Sequence, residues 1–249
     1  MDTWKFYDIT HRDHVFCNPL NPALVPELLA LLKLPAGAKV VDIASGKGEL
    51  LVRLAEMYGI DGQGVDISPF CIADARLLKQ QRVPDANIKF IHGKGAEWRP
   101  IEPESMDLTS CIGAEFVFGS QRKTLDALVG WTRPGGWVLI GQWNWRIEPP
   151  AEYLKATGMT PDETGTEAEN AAQGDAFGLE LHYLQSSAEA DWDRYEALQW
   201  NAAHNWALEN PDDPDVNEVL TRVNREREIY LKWGKRTAGF SIYLYRKPA

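Results

Sequence analysis

The stretch Val40-Val41-Asp42-Ile43-Ala44-Ser45-Gly46-Lys47-Gly48-Glu49-Leu50 constrains this chain more than any other. Val40, Val41 and Ile43 are β-branched and apolar, as in a strand covered on both faces. Ala44, Ser45, Gly46 and Gly48 carry little or no side chain, so the backbone can turn sharply and a ligand can approach its amides. From Glu49 on, Leu50, Leu51, Leu54, Ala55 and Met57 recur at helical spacing. A strand, a small-residue turn and a helix N-terminus form a nucleotide-binding corner of a doubly wound α/β fold.

The rest of the chain is arranged around that corner. Residues 1–20 hold Trp4, Phe6, Tyr7, His11, His14 and Phe16 and read as an arm ahead of the fold. Asn21-Pro22 predicts a cap and first helical turn, with Leu24, Val25, Leu28, Leu29 and Leu32 on one stripe. Gln63–Ile67 predicts a second strand ending in the acid Asp66, and Ser68-Pro69 opens a helix to about Arg82. Ile88–Ile91 and Met106–Ile112 predict the third and fourth strands, 121–131 a helix, and Arg133-Pro134-Gly135-Gly136 a turn into a fifth strand from Trp137. This alternation marks a parallel sheet with helices on both faces. The rhythm then breaks. Residues 143–176 are rich in Pro, Gly and Glu, and Phe177–Leu184 reads as a sixth strand. Ser186-Ser187-Ala188-Glu189 has a capping-box pattern and opens a long helix. A second helix follows from about Asp215, and Phe240–Tyr245 alternates as a last strand.

With 249 residues the chain is long enough for one large domain over 1–249. Its net charge of −10 argues against a nucleic-acid partner, because such partners need a basic face. Lys232, Lys235, Arg236, Arg246 and Lys247 form a modest basic cluster, offset by Glu226 and Glu228, and read as solvated surface. Cys17, Cys71 and Cys111 share no metal-ligand spacing, so neither a disulfide framework nor a metal site is expected. The N-terminus lacks an apolar signal core and no apolar run reaches membrane-spanning length. A soluble, cytoplasmic protein acting on small molecules, as monomer or homodimer, is the expectation.

Residues 38–141 resemble the Rossmann-like class I methyltransferases that use S-adenosylmethionine. The family's acid-x-Gly-x-Gly-x-Gly motif stands here as Asp42-Ile43-Ala44-Ser45-Gly46-Lys47-Gly48, with alanine at the first glycine. Arg133–Gly136 matches the family's RPGG turn. The resemblance implies a seven-stranded mixed sheet with its last strand antiparallel, plus an N-terminal arm that lids the cofactor. It places Asp66 on the ribose hydroxyls and a backbone amide at Ala96 against adenine. Lys94-Gly95 stands where the family often has an aspartate beside that amide. The cofactor set it implies is Asp42, Ala44, Ser45, Gly46, Gly48, Asp66, Ile67, Gly95, Ala96 and Cys111, with S-adenosylhomocysteine as product. Spacing agrees independently for one member: Asp66 lies 20 residues after Gly46, which carries an acid to the neighbouring strand tip.

Methyl transfer from a sulfonium is an in-line displacement that rests on positioning, with a base needed only for a protonated nucleophile. Glu115, just past the fourth strand, is the candidate base, or else a helix-start acid. His14 and His11 in the arm are candidates for catalysis and substrate contact, or ordinary surface histidines. Trp143 and Trp145 can wall a substrate pocket or pack under the following insertion. Residues 186–235, between the last two strands, read as a helical cap over the substrate or as a dimerisation element. Two rival readings stand beside the methyltransferase. One is a cofactor-binding regulatory protein without transfer activity. The other is an NAD(P)-dependent oxidoreductase, disfavoured by the missing Gly-x-Gly-x-x-Gly and the two closing strands.

Overall fold

The computed structural model describes all 249 residues, Met1–Ala249. The chain opens with α1 (Thr3–His11) and α2 (Val25–Leu32). Strands and helices then alternate as β1 (Lys39–Ile43), α3 (Glu49–Tyr58), β2 (Asp61–Asp66), α4 (Pro69–Arg82), β3 (Ile88–His92), β4 (Met106–Ile112), α5 (Gln121–Trp131) and β5 (Thr132–Trp145). The last part holds α6 (Ala151–Thr157), α7 (Glu167–Ala172), β6 (Glu180–Ser186), α8 (Glu189–Glu209), α9 (Val216–Ile229) and β7 (Ala238–Arg246). One seven-stranded sheet results, in the order β3-β2-β1-β4-β5-β7-β6, with β7 antiparallel to both its neighbours. This is the Rossmann-like doubly wound architecture that the sequence predicts.

Side-chain alternation along each strand divides the core between the two faces of the sheet. Val40, Leu108, Leu139, Ile242 and Leu244 join one apolar cluster with α2 and α3. Val41, Val138, Ile140, Tyr243 and Tyr245 join the other, with α5. Each such side chain contributes about 1.5–3 kcal/mol by leaving water. The strand order reverses beside β1, which has β2 on one side and β4 on the other. A crevice therefore opens above the carboxyl ends of these three strands, where α/β sheets bind ligands.

A third apolar cluster joins the two ends of the chain. Phe6 and Ile9 of α1 pack on Ala203 of α8 and on Val219 and Val223 of α9. Lys5 Nζ bonds Asp213 at 2.9 Å and Asp215 at 2.7 Å, and the Arg222 guanidinium lies 3.7 Å over the Phe6 ring. The arm and the 186–235 insertion thus form one helical layer. No helix is long and apolar enough to cross a membrane.

Several elements depart from the sequence expectation. The arm contains a true helix, α1, capped by Asp2, whose side chain accepts from the Lys5 amide. The next helix begins at Val25, with Pro26 in its first turn, and not at Pro22. The Asn21 side chain is engaged elsewhere, accepting from the Ala23 amide and donating to Asp191. Arg133–Gly136 is a bulged start of β5, where the Gly135 amide donates to the Lys247 carbonyl. Within 143–176, β5 runs on to Trp145 and is followed by α6 and α7. The sixth strand begins at Glu180 because Asp175–Phe177 form a 3-10 turn. The cap of α8 is Ala188, which has no hydroxyl. Only half a capping box forms, with Asp191 accepting from the Ala188 amide, while Ser186 bonds Glu167.

Candidate active site

The turn after β1 is built from left-handed backbone. Ala44 has φ +56°, Gly46 φ +52° and Gly48 φ +77°. Glycine adopts this region freely, whereas a Cβ there costs about 1–2 kcal/mol. Ala44 carries that strain in place of the family's glycine. Ala44→Gly should therefore stabilise the protein by about 1 kcal/mol and raise Tm by about 2–4 °C. Differential scanning calorimetry checks this, and an unchanged or lower Tm would contradict it.

Two carboxylates stand at the turn. Asp66, at the end of β2, accepts from the Gly46 amide through Oδ2 and from the Ser68 amide through Oδ1, both at 2.8 Å. Burial raises its pKa, and the two amides partly offset that. Asp66 lines the cavity above the turn, and each carboxylate oxygen has acceptor capacity left, so the group can still accept from two neighbouring hydroxyls. Asp42, at the end of β1, accepts from Ser110 Oγ at 2.7 Å. Complete burial, against the favourable Ser110 contact, pushes its carboxyl up to about 7.

A cavity of about 370 Å³ lies over this turn. Asp42, Ala44, Ser45, Gly46 and Asp66 line its floor. The arm closes it: Lys47 Nζ donates to the Arg12 carbonyl at 3.1 Å and pairs with Asp74 at 3.3 Å, tying arm and turn together. Trp4, Tyr7 and His11 of the arm and Tyr195 of α8 supply an aromatic wall, with exposed Phe116 at the mouth. The volume and the mix of apolar wall with few polar groups suit a small ligand.

Tyr195 and the two arm histidines form a cluster. His11 Nδ1 lies 3.2 Å from the Tyr7 carbonyl, so that nitrogen carries the proton and Nε2 accepts from the Tyr195 hydroxyl at 3.0 Å. His14 Nε2 donates to the Tyr195 carbonyl at 2.9 Å. Burial, helped by His14, lowers the His11 pKa to about 3. The folded state therefore resists a proton that the unfolded chain takes up below its ordinary value of 6.5. Stability is unaffected above pH 6.5 and is lost as the pH falls from there toward 3, by up to about 1.4 kcal/mol per pH unit. Asp42 and other buried acids titrate in the opposite sense, so the measurement is a difference. His11→Gln should lose less stability than the parent chain between pH 6.5 and 4.5 in urea titrations. Parallel pH profiles would contradict the assignment.

Several sequence candidates lie away from this cavity. His11 faces it, but His14 sits behind Tyr195 and is not part of its wall. Glu115 is half-buried beside the Trp143 indole, and burial pushes its carboxyl up to about 6. Trp143 and Trp145 are not pocket walls: their rings pack edge to face at 4.6 Å, and Trp145 Nε1 donates to the Pro161 carbonyl at 2.8 Å. They support the connection after β5. Gly48 caps α3 and Cys111 is fully buried, its thiol donating to the Ala114 carbonyl. Ile67 is exposed and Gly95-Ala96 form a short 3-10 turn past β3. Tyr195, Asn18, Cys17 and Cys71 line the cavity and were not among the expected residues. Tyr195 is one of several aromatics on α8, and no local pattern separates it from its neighbours.

Comparison with known proteins agrees with this geometry. Residues 40–136 match the family model described as a methyltransferase domain. The chain is similar to a solved SAM-dependent methyltransferase from Thiobacillus denitrificans, in complex with S-adenosyl-L-homocysteine. They share 30% identity with a TM-score of 0.89, over 98% of this chain and 99% of that one. A SAM-dependent methyltransferase from Geobacter sulfurreducens, also in complex with S-adenosyl-L-homocysteine, is 28% identical with a TM-score of 0.89, covering 97% of both chains. The uncharacterized protein YjhP of Escherichia coli is 27% identical over 98% of both sequences.

Proposed function

The chain belongs to the class I S-adenosylmethionine-dependent methyltransferases, and from that premise we propose that it methylates a small molecule by in-line displacement inside the arm-covered cavity. One observation carries this reading. The cavity of about 370 Å³ is roofed by α1 and α8, which favours an acceptor small enough to fit beneath a helical layer. The net charge of −10 further disfavours a nucleic-acid acceptor.

The residues present fit the cofactor. When bound, it supplies an electrophilic methyl group on a sulfonium. Asp66 would accept hydrogen bonds from the ribose hydroxyls, and the Ala44–Gly48 backbone would face the methionine end. The chain's own contribution is to align the acceptor and exclude water. Where the acceptor arrives protonated, neutral His11 can take its proton through the Tyr195 hydroxyl, which it already holds at 3.0 Å.

The test is release of S-adenosylhomocysteine against amines, thiols, phenols and carboxylates. Turnover of at least one small-molecule class is expected, falling at least about 10-fold in Tyr195→Phe for a protonated acceptor. Turnover on macromolecules alone would overturn the reading.

A further inference from the structure

A second cavity, of about 470 Å³, lies within the helical layer between α6, α8 and α9. Tyr195 lines both cavities and so forms a partition between them. Three more aromatic side chains face the second cavity: Tyr153 of α6, Trp192 of α8, and Tyr230 just after α9. The faces of aromatic rings carry negative π density, which attracts cations.

Glu196 of α8 also lines it, and no cation pairs with this carboxylate. Burial pushes it up to about 7, with Glu226 adding to the effect. The indole N–H groups of Trp192 and Trp200 lie beside it and favour its charged form, yet neither makes a hydrogen bond. The other charged side chains on the wall already have partners. Arg222 pairs with Glu226 at 2.9 Å and stacks on Phe6. Arg225 is exposed and donates to the Ala156 carbonyl at 2.9 Å. The Tyr230 hydroxyl is taken up by Asp193 at 2.8 Å. Glu196 is thus a half-buried carboxylate on a wall it shares with Tyr153, Trp192 and Tyr230, and it has no salt-bridge partner. A carboxylate largely withdrawn from water is costly to ionise unless a cation pairs with it.

We propose that this cavity is a binding subsite for a positively charged nitrogen, an alkylammonium group, on the methyl acceptor. The ammonium would sit against Glu196 among Tyr153, Trp192 and Tyr230, and the remainder of the molecule would pass Tyr195 toward the cofactor cavity. The inference rests on the small-molecule acceptor proposed above, but its test does not require turnover.

The probe is choline, compared with its uncharged carbon isostere 3,3-dimethylbutan-1-ol. Both are titrated by calorimetry into the full chain saturated with S-adenosylhomocysteine. Choline should bind at least 10-fold more tightly than the isostere, and its addition should shift the indole N–H signals of Trp192 and Trp200. Glu196→Gln should lose at least 10-fold of choline affinity while keeping S-adenosylhomocysteine affinity within twofold, which also shows that the variant folds. Tyr153→Ala should weaken choline without touching the cofactor.

Equal binding of choline and the isostere would overturn the proposal. So would undiminished choline binding by Glu196→Gln, no choline binding at all, or tighter binding of acetate or inorganic phosphate through Arg222 and Arg225. Absence of methyl transfer in the acceptor panel, with choline binding intact, would instead count against the proposed function alone.

Discussion

Asp66→Ala should weaken S-adenosylhomocysteine binding by at least about 100-fold in calorimetry, with little change in the far-ultraviolet spectrum. The carboxylate lies at the end of β2, in direct hydrogen-bond contact with the left-handed turn. Its oxygens already accept from the Gly46 and Ser68 amides at 2.8 Å, which fixes its orientation before any ligand arrives. A ribose presents two adjacent hydroxyls. Each hydrogen bond to an ionised group contributes about 1.5–3 kcal/mol, so losing both removes at least about 3 kcal/mol. That corresponds to roughly a factor of 100 or more in Kd. Alanine also leaves the Gly46 amide without its partner, which loosens the turn. Asp66→Asn keeps an acceptor oxygen and should lose only about 10-fold. If Asp66→Ala bound within threefold of the parent chain, the ribose assignment would fail, and with it the orientation of the cofactor in the crevice.

What the sequence shows and what it hides divide along physical lines. The β1 corner is legible because every residue in it is dictated locally: β-branched residues for a strand covered on both faces, small residues for a left-handed turn. The parallel strands and α5 are legible for the same reason. The edge strand β6 is legible as a strand but not in its bounds, because it is mostly exposed and its alternation is weak. Two helix starts lie further along the chain than the local pattern indicates. Asn21 Oδ1 does accept from the Ala23 amide, but that turn is not continued and the helix begins at Val25; Ser186 turns its hydroxyl to Glu167, and the helix begins after Ala188.

The cavity floor is legible in the sequence and its aromatic wall is not. Asp42, Ala44, Ser45, Gly46 and Asp66 stand at the ends of neighbouring strands, so spacing brings them together. The aromatic wall of the cavity is assembled by tertiary contact between residues 184 positions apart, His11 and Tyr195. Nothing in either segment's periodicity announces that meeting. Trp143 and Trp145 show the converse. Their spacing does place both rings on one side, but the side they share faces the connection after β5.

Gly48→Ala should destabilise the protein by about 3 kcal/mol, the sum of two separable costs. Gly48 has φ +77°, where any Cβ adds about 1–2 kcal/mol. A Cβ built there would also lie 2.5 Å from Phe90 Cζ and 2.9 Å from Ala75 Cβ, inside a packed core. Overpacking of this kind costs about 1–3 kcal/mol more. Gly59, at the other end of α3, separates the two effects: its φ is +63°, but nothing lies within 4 Å of a Cβ there. Gly59→Ala should lose only the backbone cost of about 1–2 kcal/mol. Thermal unfolding should place Gly48→Ala about 6–12 °C below the parent chain, with Gly59→Ala losing roughly half as much. Equal losses would mean that Phe90 moves aside freely. Gly48 would then be held by backbone conformation alone, and the tight seat of α3 on β3 would not help to fix the left-handed turn after β1.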